Sequence, residues 1–191
     1  EDVYIVNSTA TYTIVRPDCG NYKDLVTTDK ATVTVTDTKD TTTLTLNDVS
    51  VNEGTGTATV GGSLDYAPQT TLVVTLSNGS TITFGPDYVV GTTVQSTPFA
   101  VQGDDVYKDG QTYEITVANT TGGNFENLVT TDKAVVTVTD TKDTVTLTLD
   151  DVNVNEGVGT ATVGGKLDYA PQTPLVVTLS NGSTITFGPD Y

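Results

Sequence analysis

Apolar and polar residues alternate along almost the whole chain, and no stretch shows the spacing of an amphipathic helix. This alternation is typical of strands that bury one face and expose the other. Across residues 40–142 it predicts strands at 43–51, 57–66, 72–77, 80–84, 92–101, 112–117 and 133–140. Seven short strands in about 100 residues predict an all-β fold of the immunoglobulin-like sandwich type.

The clearest local signal is Asn78-Gly79, which separates two alternating runs. Because this dipeptide tolerates positive φ angles, we expect a tight hairpin with a type I′ turn. The side chains expected to face the core are Leu72, Val74, Leu76, Ile82 and Phe84.

Residues 25–88 reappear as residues 128–191, displaced by 103 positions without insertion or deletion. A period of this length predicts tandem domains that each fold as a unit, rather than a solenoid. We expect residues 1–39 to be the C-terminal part of a diverged repeat, residues 40–142 a complete repeat, and residues 143–191 the N-terminal part of a third. The boundaries are expected at 37–43 and 140–146, which overlap the two occurrences of the motif VTDTKDT at 35–41 and 138–144. Consecutive domains should therefore nearly touch. Near-identical copies in series suit a chain whose length or valency is its function, and we expect no catalysis.

Charge and composition narrow the possible partners. The chain carries 24 acidic and 8 basic residues, for a formal net charge of -16. Nucleic acid and anionic membranes need a basic surface, so neither is an expected partner.

The absence of histidine excludes Ser-His and Cys-His nucleophiles and histidine-ligated metal sites. With Cys19 as the only cysteine, no internal disulfide can form. No spanning apolar run and no leader are evident, so we expect an internal, soluble piece of a longer protein, without membrane insertion.

Acidic residues of segment 40–142 lie where its predicted strands end. Because the first and last strands of a sandwich can end at the same pole, Glu53 and Asp140 should meet there, and neighbouring loops can add further carboxylates. Such carboxylates repel one another, and Ca²⁺ relieves the repulsion by accepting about six to eight oxygens. The candidate ligands are Glu53, Asp87, Asp104, Asp105, Asp109, Asp140 and Asp143. The alternative is that these are solvated loop residues, which turns favour in any case.

Several of these segments carry a family resemblance. VNEG, the DY of FGPDY and GDDVYKDGQTYEITV resemble the calcium-binding Calx-β and related immunoglobulin-like modules. More closely, APQTPLVVTLSNGSTITF, DDVYKDG, GGNFENL and VTDTKDT resemble the extender repeats of giant RTX adhesins of the LapA type, which bacteria export by type I secretion. The similarity covers the chain from about Tyr22 onward.

The resemblance implies a non-catalytic, extracellular chain of many such domains on the bacterial cell surface, which serves attachment and biofilm formation. It implies Ca²⁺ at the junctions of neighbouring repeats, with Glu53, Asp87, Asp104, Asp105 and Asp140 as ligands and Asp143 bridging from the linker. In the outer segments the retained positions are Glu1, Asp2, Asp37, Asp40, Glu156 and Asp190. Export in an unfolded state and folding outside the cell would suit weak calcium sites, with dissociation constants on the order of 0.1 to 1 mM.

Other functions stay open at this point. A direct carbohydrate- or protein-binding sandwich is the main alternative, although the loops at 67–70 and 120–124 are short and poor in aromatic residues. Threonine rows such as TVTVTDT could form an ice-binding face, but threonine is common on exposed strand faces. A pair of carboxylates could serve a glycosidase, yet the pair would recur in every copy without an aromatic-lined cleft. Because the outer segments supply only parts of a domain, end-to-end self-assembly of chains is a further possibility.

Overall fold

The computed structural model describes residues 3–4, 7–15 and 20–191, so the candidate ligands Glu1 and Asp2 lie outside the described residues. Every regular element within these residues is a strand and none is a helix, which confirms the predicted all-β class. In the same part of the chain, no helix is long and apolar enough to cross a membrane. The strands are β1 (Ser8–Thr13), β2 (Lys30–Val35), β3 (Thr42–Leu46), β4 (Val49–Asn52), β5 (Thr57–Ala58), β6 (Gly61–Leu64), β7 (Leu72–Leu76), β8 (Thr81–Phe84), β9 (Val94–Gln95), β10 (Phe99–Ala100), β11 (Gln111–Thr121), β12 (Leu128–Val129), β13 (Lys133–Thr139), β14 (Leu147–Leu149), β15 (Gly165–Leu167), β16 (Leu175–Thr178) and β17 (Thr184–Phe187).

These strands form two larger sheets and several two-stranded ribbons. One sheet has the order β4-β13-β11-β7-β8, and the other has the order β12-β3-β6-β9. The ribbons are β1-β2, β5-β10, β14-β15 and β16-β17. Strand β12 runs parallel to β3, with Leu128 opposite Thr42, whereas β3 and β6 are antiparallel.

The chain comprises two compact units. The first contains Glu1–Val49, Thr59–Phe99 and Tyr113–Val136, and the second contains Ser50–Ala58, Ala100–Thr112 and Thr137–Tyr191. The domain boundaries predicted after residues 39 and 142 stay predictions.

The main core lies in the first unit, between the inner faces of the two larger sheets. A Cβ atom placed on Gly62 of β6 would lie 2.9 Å from Cδ1 of Ile82 on β8, so the facing strands approach closely there. All five core positions predicted for the hairpin are buried, which confirms the assignment of its inner face. The largest fully buried side chains of this unit are Phe84, Leu44, Leu64, Leu72, Leu76, Ile82, Ile115, Val60, Val74 and Val136.

In the second unit, the ribbons β14-β15 and β16-β17 have the same registers as strands 103 positions earlier. Leu147 lies opposite Leu167, as Leu44 lies opposite Leu64. Likewise Leu175 lies opposite Phe187, as Leu72 lies opposite Phe84. These ribbons remain largely exposed, and Phe187 is their one buried apolar side chain.

Three predicted strands are interrupted in the structure. The predicted strand 43–51 divides into β3 and β4 around Asn47 and Asp48, which are poor strand formers. The strand does not continue through Asp48. The carboxylate of this residue accepts a hydrogen bond from the Val135 amide at 2.7 Å. The predicted strands 57–66 and 92–101 likewise divide into β5 and β6 and into β9 and β10. Strand β11 is longer than predicted, and the short parallel strand β12 was not predicted.

The hairpin between β7 and β8 forms as predicted, but its turn is not of type I′. A type I′ turn needs a positive φ at both Asn78 and Gly79. Gly79 has φ +84°, but Asn78 does not have a positive φ, because Asn124 is the one non-glycine residue of the described chain that does. The Gly79 amide donates to the Leu76 carbonyl at 2.9 Å, and the Asn78 side chain accepts from the Ser80 amide at 3.0 Å. This is a type I turn closed by a left-handed glycine, a common solution for longer hairpin loops.

Candidate metal centre

Glu53 is the central residue of an acidic cluster in the second unit. It directly follows β4, and its amide donates to the Thr139 carbonyl at the end of β13 at 3.0 Å. Only 3% of Glu53 is exposed, which is unusual for a carboxylate. Its Oε1 accepts hydrogen bonds from the Thr141 amide at 2.9 Å and the Thr141 hydroxyl at 3.1 Å, while its Oε2 is buried without a partner.

Four aspartates converge on Glu53. Glu53, Asp109 and Asp140 form one group, and Glu53, Asp104 and Asp143 form another. Within each group, one carboxylate oxygen of each residue lies within 4.8 Å of those of the other two. Both groups contain Glu53 and lie in the second unit. An oxygen-only set of this kind suits a hard cation such as Ca²⁺.

Glycines allow the backbone to bring these groups together. A Cβ on Gly54 would lie 2.7 Å from Cβ of Asp104, and Gly54 has φ +73°. A side chain at this position would therefore displace Asp104 and strain the backbone. Gly110 is similarly close to the backbone at Asp140, where a Cβ would lie 3.3 Å from the Asp140 nitrogen.

No basic side chain neutralises the cluster in the part of the chain that the structure describes. The ion pair there joins Lys133 to Glu114, both of which are about half exposed and neither of which belongs to the cluster. Asp109 accepts a hydrogen bond of 2.5 Å from the neutral Gln102 side chain, and one buried oxygen of Asp140 has no partner. Asp104, Asp109 and Asp143 are exposed, but the unpaired buried oxygens of Glu53 and Asp140 cost free energy, and a bound cation would offset this cost.

The other candidate ligands of segment 40–142 lie in different settings. Asp105 accepts from the Tyr107 amide at 2.7 Å, and it lines a recess of about 320 Å³ together with Asp104 and Asp143. Asp87 belongs to the first unit and is exposed, with its carboxylate folded back towards Gly85 in its own turn. The structure does not bring Asp87 or Asp105 into either carboxylate group.

The outer candidates are also divided. Glu156 and Asp190 are exposed and lie outside both groups, and the Asp190 carboxylate folds back towards Gly188. Asp37 and Asp40 form a separate acidic site in the first unit with Glu126. The Asp40 amide donates to Oε2 of Glu126 at 2.5 Å, and one buried oxygen on each of these two side chains has no partner.

The pKa of Glu126 reflects this acidic setting. The hydrogen bond from the Asp40 amide lowers it, but partial burial raises it, as do the negative charge of Asp37, a side-chain hydrogen bond with Asp37 and the charge of Asp40. The opposing effects together outweigh the amide, so the pKa of Glu126 lies above its ordinary value.

Sequence reasoning missed two residues of these sites. Thr141 bonds both Glu53 and Asp104, the latter from its hydroxyl at 2.7 Å, so it orients two carboxylates at once. Its position between Asp140 and Asp143 was the available signal. Glu126 lies in the motif GGNFENL, which the sequence analysis singled out. The sequence alone does not show that this loop lies beside Asp40, so the role of Glu126 could not be predicted.

The geometry defines an all-β protein with carboxylate clusters in the loops at its strand ends. A family model, the LapA domain, matches residues 40–141 and again residues 143–189, so the chain belongs to the LapA domain family. Membership indicates a structural component of a cell-surface adhesin, which confirms the predicted adhesin class. No curated protein matches the chain.

Proposed function

We propose that this chain is a non-catalytic, calcium-stiffened extender segment of a bacterial surface adhesin that serves attachment and biofilm formation. In this proposal, tandem immunoglobulin-like copies of the 103-residue sequence form the segment. Family membership and the all-β fold support the structural role. The acidic clusters support the calcium dependence.

The observation that carries the calcium proposal is the state of Glu53. Its Oε2 is buried without a hydrogen-bond partner, and four aspartates lie near it. Among the residues that the structure describes, no basic side chain forms an ion pair with this cluster. Solvated loop carboxylates would not need such burial. A divalent cation would complete the coordination of Glu53 and neutralise its neighbours.

The proposed mechanism depends on the two copies of the linker motif. Asp140 and Asp143 lie with Glu53 and Asp104, which precede them in the chain. Their equivalents 103 positions earlier, Asp37 and Asp40, lie with Glu126, which follows them. In a longer array, each linker would then be held by carboxylates of both neighbouring copies, and a cation would convert repulsion into attachment.

Calcium titration of the full chain tests this proposal. We expect calorimetry to detect a site with a dissociation constant on the order of 0.1 to 1 mM. Saturation at about 100 times that constant would add about 2.7 kcal/mol of stability, and EGTA should then lower the melting temperature by roughly 10 °C. Backbone relaxation should show that calcium reduces motion at Thr141 and the following linker residues.

Glu53→Gln gives the sharpest variant, because it keeps the side-chain shape and removes one buried charge. In EGTA it should be at least as stable as the native chain, and it should lose most of the response to calcium. Asp151→Asn is the matched control, since it removes one charge from an exposed residue of the same unit outside both groups. An unchanged calcium response in Glu53→Gln would contradict the proposed site.

Type I export, the extracellular location and end-to-end self-assembly are parts of the same proposal. A calcium site with a dissociation constant near the millimolar range would stay empty in a low-calcium cytosol and would bind calcium outside the cell. Binding there would favour folding after export. Analytical ultracentrifugation with and without calcium tests self-assembly, for which a concentration-dependent mass is the expected result.

A further inference from the structure

An apolar groove of about 310 Å³ lies open in the second unit. Its lining includes the apolar or aromatic side chains of Val106, Tyr107, Tyr169 and Leu175 together with Gln172 and Thr173. Leu175 is 40% exposed and Tyr169 is 53% exposed, so the groove presents considerable apolar surface to solvent. At one end, the Tyr107 hydroxyl donates to the Ala170 carbonyl at 2.7 Å.

The equivalent surface 103 positions earlier is covered. There the Tyr4 hydroxyl donates to the Ala67 carbonyl at 2.6 Å, the same contact that Tyr107 makes with Ala170. The Tyr4 ring also stacks on Phe125, with ring centroids 6.0 Å apart and planes inclined by 20°. Val3 and Leu72 are buried at this surface, whereas Val106 and Leu175 are not.

The cover is the segment 122–126, which is bonded to this surface on two sides. On one side, the Gly123 amide donates to the Thr70 hydroxyl at 3.0 Å, and the Gln69 amide donates to the Gly123 carbonyl at 3.1 Å. On the other side, the Glu126 amide donates to the Val3 carbonyl at 3.1 Å. Gly123 also lies directly against Leu72, since a Cβ there would be 3.2 Å from Cδ1 of that leucine.

We propose that the open groove at Tyr107 and Leu175 is the docking surface for an Asn-Phe-Glu segment of the 103-residue sequence, equivalent to residues 124–126. The groove keeps the residues that bind this segment at the earlier position, because Val106, Tyr107, Gln172, Thr173 and Leu175 repeat Val3, Tyr4, Gln69, Thr70 and Leu72. The inference rests on the proposed tandem array, but not on calcium.

The groove binds this segment through ring stacking, apolar burial and backbone hydrogen bonds. None of these contacts with the groove uses a metal ion, and the carboxylate of Glu126 in the covering segment bonds the Asp40 amide rather than the groove. Neighbouring copies would therefore be joined by two contacts: the acidic cluster, and an aromatic contact between the tyrosine at position 4 or 107 and the phenylalanine of the Asn-Phe-Glu segment. The aromatic contact should persist when calcium is removed. Experiments in EGTA, which removes calcium, measure the aromatic contact separately from the acidic cluster.

A peptide with the sequence of residues 121–128, TGGNFENL, tests the docking surface on the ¹⁵N-labelled full chain in EGTA. We expect amide shifts at Val106, Tyr107, Gln172 and Thr173, with a dissociation constant of about 1 mM. The equivalent amides at Val3, Tyr4, Gln69 and Thr70 should not shift, because their surface is already covered. A peptide with alanine in place of phenylalanine should weaken binding at least about tenfold.

Two results would overturn the docking proposal. One is the absence of shifts at about 10 mM peptide, well above the expected dissociation constant. The other is an equal response to the alanine peptide, which would show that the ring does not seat in the groove. The variant Tyr107→Ala should abolish the shifts, and Tyr12→Ala is the control, since Tyr12 lies on the exposed strand β1.

Hydrogen exchange of the Glu126 amide gives a second test that needs no peptide. Tyr4→Ala should raise this exchange rate about tenfold or more in EGTA, because it releases the covering segment. Tyr107→Ala should leave the rate unchanged, since no segment among the described residues covers Tyr107 as residues 122–126 cover Tyr4. Unchanged exchange in Tyr4→Ala would show that the stacked ring does not hold the segment, and the proposal would fail even if calcium binds as proposed.

Discussion

Residues 40–88 and residues 143–191 have the same sequence at all but six positions, but they differ greatly in burial. Their local contacts agree: Phe84 packs on Tyr88 and Phe187 packs on Tyr191, each with ring centroids 5.1 Å apart. Leu72, however, is fully buried while its equivalent Leu175 is 40% exposed. The sequence of these strands therefore determines turns and registers, whereas burial depends on the strands between residues 111 and 139 that cover one copy.

Alanine substitution at this leucine should give the largest difference between the two copies. Leu72→Ala removes a fully buried side chain and should reduce the free energy of unfolding by about 2–5 kcal/mol. Leu175→Ala removes a half-exposed side chain and should cost less than about 1 kcal/mol. Urea denaturation followed by circular dichroism measures both values.

Equal costs for the two leucine variants would contradict this interpretation. Such a result would mean that residues 143–191 bury Leu175 in solution, for example by self-assembly. Repeating the measurement at several protein concentrations would identify that case.

The two linkers give the next largest effect. Asp140→Asn with Asp143→Asn should weaken calcium binding more than about tenfold, because it removes two of the carboxylates around Glu53. Asp37→Asn with Asp40→Asn removes the same charges from the same motif but leaves the Glu53 site intact. Calorimetric titration should show that this second pair changes the affinity of the Glu53 site by no more than about twofold.

A smaller difference is expected at the glycine of the VNEG motif. Gly54→Ala should destabilise the chain by about 1–2 kcal/mol and weaken calcium binding, because the new methyl group meets Asp104. Gly157 has a similar positive φ, but a Cβ there has no neighbour within 4 Å. Gly157→Ala should therefore cost only the backbone strain, about 1 kcal/mol, and calcium affinity should not change. If both variants bind calcium normally, close packing of Gly54 on Asp104 is not required for the site.

The pH dependence at Glu126 should be the smallest effect. A carboxyl group whose pKa is raised in the folded state holds its proton more readily there than in the unfolded chain. Its stabilising contribution is therefore complete below the ordinary pKa and is lost as the pH rises through the raised value. Glu126→Gln should remove this loss, so the unfolding free energy should decline less as the pH rises above the ordinary pKa of 4.5 than it does in the native chain. An identical pH profile, measured by urea denaturation beside the charge-matched Asp151→Asn, would rule out this role for Glu126.

Much of the fold could be predicted because it depends on neighbours in sequence. Alternation identified the inner face of the hairpin, since Leu72, Val74 and Leu76 must share one side of a strand. The interruption at Asn47 and Asp48 was less accessible, because it depends on a hydrogen bond to Val135, far away in sequence. The predicted turn type at Asn78 was wrong, because Asn-Gly is compatible with two kinds of hairpin loop and the structure has the longer one.

The acidic site could be predicted only in part, for a similar reason. Glu53 and Asp140 follow strands that end together, so strand topology alone suggests that they approach. Asp87 was expected at the same cluster because it lies at a strand end, but its own turn holds it near Gly85. Thr141 and Glu126 were missed because their roles come from contacts of a side chain or an amide, which no spacing rule reveals.

The hydrogen bonds Tyr4 to Ala67 and Tyr107 to Ala170 each join residues 63 positions apart. A one-residue insertion between the two partners would have to be absorbed by a loop, or the contact would be lost. Gain or loss of a complete 103-residue copy, as in unequal recombination between identical gene segments, would leave every such separation unchanged. In the proposed tandem array, the length of the chain could therefore change in whole copies while each joint keeps the same contacts.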